Sequence, residues 1–110
     1  MRIPNADFAR VDRKKLEAYL LSSTHPIGRS KAKFFQAWGF DESNMGLLEH
    51  ALLDLVRTQE ITTAVSSAYG TKYRVDGLLA TPSGSQVKLR TIWIVETGEK
   101  RPRLVTAYPF

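Results

Sequence analysis

The stretch Thr24-His25-Pro26-Ile27-Gly28-Arg29-Ser30-Lys31-Ala32-Lys33 sets a histidine, a proline, a glycine and three cations just before and inside the expected start of a helix. Histidine, with a reference pKa of about 6.5, can give or take a proton at neutral pH. Cations one helical turn apart can converge on an anion, and Ser30 is a fitting helix cap. This set suggests proton transfer beside a phosphate. His25 would serve as general acid or base, and Arg29, Lys31 and Arg90 would neutralise the charge that develops on a phosphorane. Metal-free RNA cleavage needs those parts: a base for the ribose 2′-hydroxyl, an acid for the leaving oxygen, and cations around phosphorus. The plainer reading makes His25 a loop histidine that caps a helix or bonds a carbonyl.

A second set lies on strands. Lys72, Arg74, Lys88 and Arg90 fall on alternate positions of two runs whose other positions are apolar, so they share one face with the single acid Asp76. Such a face is either an ordinary solvated one or a phosphate-binding platform. Thr106 and Tyr108, in the last run, carry hydroxyls that could orient a phosphate, although both types are common strand formers. Trp38 and Trp93 have the chemistry to stack on bases, but their apolar settings favour core packing. His50 reads as a surface or boundary residue, and Lys33 as a solvated one.

The absence of cysteine removes disulfides, thiolate nucleophiles and zinc-thiolate sites. His25 and His50 have no metal-ligand spacing, so no metal is expected, and no G-x-S-x-G, P-loop or G-x-G-x-x-G motif calls for a cofactor. The net charge of +5 favours polyanionic partners. No run of 18 apolar residues and no secretory-type apolar segment occurs, so the expectation is a cytoplasmic protein that does not enter membranes. The 110 residues fit one domain, 1–110, with one modest core.

The elements that must position these residues follow from periodicity. Asp12 caps a first helix over about Arg13 to Leu21, with Val11 and Leu16 at hydrophobic-staple spacing. A second helix runs from Arg29 or Ser30 to Trp38, stopped by Gly39, with Phe34, Phe35 and Trp38 facing inward. A third, about Met45 to Arg57, carries Leu47, Leu48, Ala51, Leu52, Leu55 and Val56 at helical spacing. Four strands follow, at Ile61–Ser66, Lys72–Leu79, Gln86–Val95 and Arg103–Tyr108, joined by Thr81-Pro82-Ser83-Gly84 and by the charged loop Glu96–Pro102. The last strand should set Leu104, Thr106 and Tyr108 against Val105 and Ala107. The expected fold is therefore α+β: three N-terminal helices followed by a four-stranded antiparallel sheet packed against them.

Arg2-Ile3-Pro4-Asn5-Ala6, Lys15-Leu16-x-x-Tyr19-Leu20-Leu21, His25-Pro26-x-Gly28-Arg29-x-Lys31-Ala32-x-x-Phe35, Tyr69-Gly70-x-Lys72-Tyr73 and Trp93-Ile94-Val95 with Pro102-Arg103-Leu104-Val105-Thr106-Ala107-Tyr108-Pro109 resemble a small bacterial domain family of unknown function. Its members stand alone or occur as modules in toxin-like and phage-like proteins. Its helices-then-sheet order is in turn similar to the barnase, EndoU, colicin and RelE-like ribonuclease toxins. That resemblance implies a site of His25, Lys31, Arg90 and Thr106, with Arg29, Lys72 and Tyr108 as supports.

Three functions are consistent with the sequence. One is a metal-independent ribonuclease-like domain that cleaves RNA through its 2′-hydroxyl. A second is a non-catalytic basic module that binds nucleic acid or an acidic, toxin-associated protein partner through Lys72, Arg74, Lys88 and their neighbours. The third is a structural homodimer joined through Ile92 and Ile94.

Overall fold

The structure, a computed structural model, describes residues 1–17 and 29–110, with the backbone alone for residues 29–32. The order is a 3-10 turn at Ala6–Phe8, α1 (Arg13–Lys15), α2 (Arg29–Ala37), a 3-10 turn at Glu42–Asn44, α3 (Met45–Thr58), then β1 (Thr63–Ser67), β2 (Gly70–Ala80), β3 (Gln86–Glu96) and β4 (Arg103–Pro109). The strands form one antiparallel meander in chain order, β1-β2-β3-β4.

The expectation of three N-terminal helices before the sheet fails, although the α+β class stands. Among the described residues α1 is a single turn of three residues, continued by a π-helical Leu16 and Glu17. Asp12 still caps it, its carboxylate accepting from Lys14 N at 2.9 Å. The staple pair Val11 and Leu16 is buried. The remainder of the first expected helix, 18–21, lies outside the described residues, as does His25. One long helix dominates: the turn Glu42–Asn44 runs directly into the 14-residue α3.

Asp41 starts that helix. Its carboxylate accepts from Ser43 N at 2.8 Å, and Asn44 Oδ1 accepts from Asp41 N at 2.7 Å, a reciprocal cap that satisfies donors the helix leaves open. Hydrogen bonds from the Ser43 hydroxyl and amide, with a smaller one from Asn44 N, hold the Asp41 carboxyl below its ordinary value. With the folded-state value depressed, the stabilisation is complete above the ordinary carboxylate range and fades as pH falls through the depressed value. Asp41→Ala is expected to melt at a lower temperature than the parent at neutral pH, with the gap closing in acid. Circular dichroism melts at a series of pH values check this.

Leu48, Leu52, Leu55 and Val56 of α3 are buried at helical spacing, facing the sheet. Leu55 and Gln59, the latter just past α3, crowd Gly77 of β2, where an added Cβ would lie 2.8 Å from Gln59 Cγ and 3.4 Å from Leu55 Cγ. Leu47, expected inward, is 55% exposed, and Phe34 of α2 is 46% exposed, while Phe35 is fully buried. Phe35 fills the core with edge-on contacts to Trp38 at 5.4 Å and Phe40 at 6.3 Å.

Strand alternation sorts the sheet faces. Val75 and Leu79 of β2 and Leu89, Thr91 and Trp93 of β3 are buried on the helix side. In β4, however, simple alternation breaks. Ile92 pairs with Thr106 and Trp93 with Leu104, leaving Val105 as one extra residue on β4. This bulge puts Leu104 on the core side with Ala107 and turns Thr106 and Tyr108 outward, so the expected grouping of Leu104 with Thr106 and Tyr108 is corrected.

The N-terminal segment carries more of the fold than its sequence advertises. Ile3, Ala6, Ala9 and Val11 are buried. Arg10 bridges β4 in parallel: Arg10 N donates to Pro102 O at 2.9 Å and Leu104 N donates to Arg10 O at 3.1 Å. The bridge covers part of the β4 edge, where unpaired amides would otherwise invite another chain.

Candidate anion-binding face

Residues opposite one another across antiparallel strands share a face, so the pairings define the outer surface of the sheet row by row. Val65 of β1, Lys72 and Ile94 form one row with Arg103; Thr63, Arg74, Ile92 and Thr106 form the next; Asp76, Arg90 and Tyr108 form the third; Leu78 faces Lys88 in the fourth. Lys72, Arg74, Lys88, Arg90, Thr106 and Tyr108 therefore stand on one face of one sheet. A depression of about 380 Å³ opens there, lined by Thr63, Val65, Lys72, Arg74, Ile92 and Tyr108 among others.

The cations are not equivalent. Asp76 binds Arg90 through both carboxylate oxygens, accepting from Nε at 3.1 Å and from Nη2 at 3.2 Å. It also pairs with Arg74 at 3.6 Å. The Phe110 ring lies 4.8 Å from the Arg90 guanidinium carbon, within cation–π range. Hydrogen bonding to Asp76 raises the Arg90 pKa above its ordinary value; partial burial opposes the rise, and the Asp76 charge and the nearby Tyr108 hydroxyl add to it. Arg90 is thus a clamped guanidinium, whereas Lys72 and Lys88 are exposed.

Chemically, this face supplies a fixed planar donor, two exposed ammonium groups and the hydroxyls of Thr106 and Tyr108, a combination suited to phosphate oxygens. Arg29 and Lys31 lie in the first turns of α2, where the backbone is described. Ser30 sits within that helix rather than at its cap. His25 lies outside the described residues. The sheet residues of the expected site come together.

On this face Ile94 is 7% exposed and Ile92 is half-buried, while Val65 and Leu78 are exposed. Trp93 is wholly buried and Trp38 is partly buried against the core, as expected of packing residues. His50 is exposed beside a groove of about 310 Å³ that Leu47, Asp54 and Pro82 help to line. Among the described residues no three His, Asp or Glu side chains gather to hold a metal ion, and no helix is long and apolar enough to cross a membrane.

The sequence sets Asp76 on the face of the cations; the structure adds that it clamps Arg90, and that Phe110 covers the guanidinium. Phe110 stands two residues beyond Tyr108, the spacing that returns a side chain to the same face.

Fold and face define an α+β protein with a four-stranded antiparallel meander whose outer surface is basic. The chain belongs to DUF6883, a domain family of unknown function, which it matches over residues 2–110. Comparison with curated proteins finds no match. Among solved structures, it is similar to a chain of a contact-dependent growth inhibition toxin-immunity protein complex from Klebsiella pneumoniae 342, with a TM-score of 0.72 and 18% identity over 94% of this chain and 95% of that one. At that identity the likeness shows a shared fold.

Proposed function

We propose that the chain is a ribonuclease-like domain of a bacterial toxin system, cleaving RNA by attack of a ribose 2′-hydroxyl on the adjoining phosphate. The observation that carries this reading is the gathering of Lys72, Arg74, Arg90, Thr106 and Tyr108 on one sheet face. In the reaction the 2′-oxygen forms a bond to phosphorus as the bond to the 5′-oxygen breaks. A base takes the 2′-hydroxyl proton, and an acid protonates the departing oxygen. His25 fills one of these roles. Arg90 and Lys31 stabilise the dianionic phosphorane, Thr106 orients it, and Arg29, Lys72, Arg74, Lys88 and Tyr108 bind the RNA backbone.

The fold shared with a chain of a toxin-immunity complex supports the toxin-system setting and, with it, a cognate protein partner for this chain. Expression in a bacterium is expected to arrest growth with decay of bulk RNA, and His25→Ala is expected to relieve both. Growth arrest without RNA decay would turn the reading away from RNA.

A second reading has one observation in its favour. Asp76, the carboxylate beside Arg90, is bonded to it through both oxygens, an arrangement that also suits a non-catalytic module binding RNA or an acidic protein. Binding of RNA by the wild type without cleavage at any pH, weakened by Lys72→Ala and Lys88→Ala, would favour that module.

A further inference from the structure

We infer that Asp76 is a positioning residue for Arg90, acting on the RNA-cleaving site proposed above. A guanidinium carries five N–H donors in one plane. Asp76 takes one from Nε and one from Nη2 at 3.1 and 3.2 Å. The Phe110 ring covers one face of the plane at 4.8 Å. Asp76 stands on β2 and Tyr108 on β4, directly across β3 from each other, so the guanidinium is held between them. The hydrogens of Nη1 and the second of Nη2 remain for a phosphate oxygen. Arg90 has its orientation set before RNA arrives, and fixed donors stabilise developing charge without reorganising.

The arrangement has an electrostatic cost: Asp76 puts a negative charge in the middle of a basic face. The two effects have opposite signs, which separates positioning from simple structural support. Asp76→Asn removes the charge and keeps the shape. RNA affinity is expected to rise about 3- to 5-fold at low salt, the effect of relieving about 1 kcal/mol of repulsion at close range in water. Turnover is expected to fall about 10- to 100-fold, because a misdirected group loses its orientational advantage.

The test uses the full chain. Binding is read by anisotropy with a labelled 2′-O-methyl oligoribonucleotide, which lacks the reacting hydroxyl; cleavage is read with the unmodified oligoribonucleotide. Tighter binding with slower turnover in Asp76→Asn supports positioning, as does recovery of turnover in Asp76→Glu without tighter binding. Weakened binding together with slower turnover would mark Asp76 as structural only and overturn the inference; unchanged turnover would overturn it too. The Arg90 Nε–H resonance gives a readout independent of cleavage. It should be sharp and exchange-protected in the wild type and broadened in Asp76→Asn. A wild type that cleaves no RNA yet shows that protected resonance would sink the ribonuclease reading alone, whereas an unprotected resonance in the wild type would sink the positioning role.

Discussion

Trp93→Ala is expected to lower the unfolding free energy by about 3–5 kcal/mol, the range for removing a large buried aromatic, and so to consume much of the roughly 5–15 kcal/mol a domain typically has. Trp93 is fully buried at the middle of β3. Its Nε1–H donates to Thr91 Oγ1 at 2.8 Å, and the Thr91 hydroxyl donates to Val75 O at 2.7 Å. The indole therefore fills the centre of the core while its polar atom is tied through a hydroxyl to the neighbouring strand. Thr91→Val, which keeps the shape and strands the indole N–H, should cost less, about 1–3 kcal/mol. Urea titrations followed by far-ultraviolet circular dichroism check both. A Trp93→Ala protein with an unchanged midpoint would contradict the packing described here.

Arg90→Ala is expected to reduce RNA cleavage by about 10²- to 10³-fold, the effect of losing one preorganised donor to transition-state charge. The fold should survive. Arg90 lies on the outer face, where ion pairs contribute little to stability, and Asp76 keeps Arg74 as a neighbour at 3.6 Å. Lys88→Ala removes a cation from the same face without touching the clamp. It should weaken RNA binding and flatten its dependence on salt while leaving turnover of bound RNA nearly intact. Initial rates at saturating and limiting RNA distinguish the two. Equal losses in both variants would mean that the face acts through its total charge and not through a positioned guanidinium.

The period-two pattern of β2 and β3 made much of the sheet readable, because each strand buries one face in the core and leaves most of the other partly or fully exposed. Lys72, Arg74, Lys88 and Arg90 could be assigned to a common face on that ground alone. The helical part was less readable. Asp12, Val11 and Leu16 signal a helix start, which the structure keeps, but Leu47 and Phe34, at core-facing spacing, are exposed. The bulge at Val105 was hidden because both parities of β4 offer apolar residues; only the pairing of Leu104 with Trp93 decides between them. The burial of Ile3, Ala6, Ala9 and Val11 was also hidden, since the irregular spacing of this segment matches neither a helix nor a strand. The clamp on Arg90 required the cross-strand register that brings Asp76 opposite it, which no single-strand pattern contains.

Metal-free cleavage of RNA, as proposed, is read most directly in the chemistry of the product ends. Purified wild-type chain, His25→Ala and Arg90→Ala are each incubated with RNA in excess chelator, and the products are analysed by mass spectrometry. The wild type is expected to leave 5′-hydroxyl and 2′,3′-cyclic phosphate ends, and both variants to lose them. Intact RNA with the wild type, or the same products at the same rate from all three proteins, would contradict the proposal.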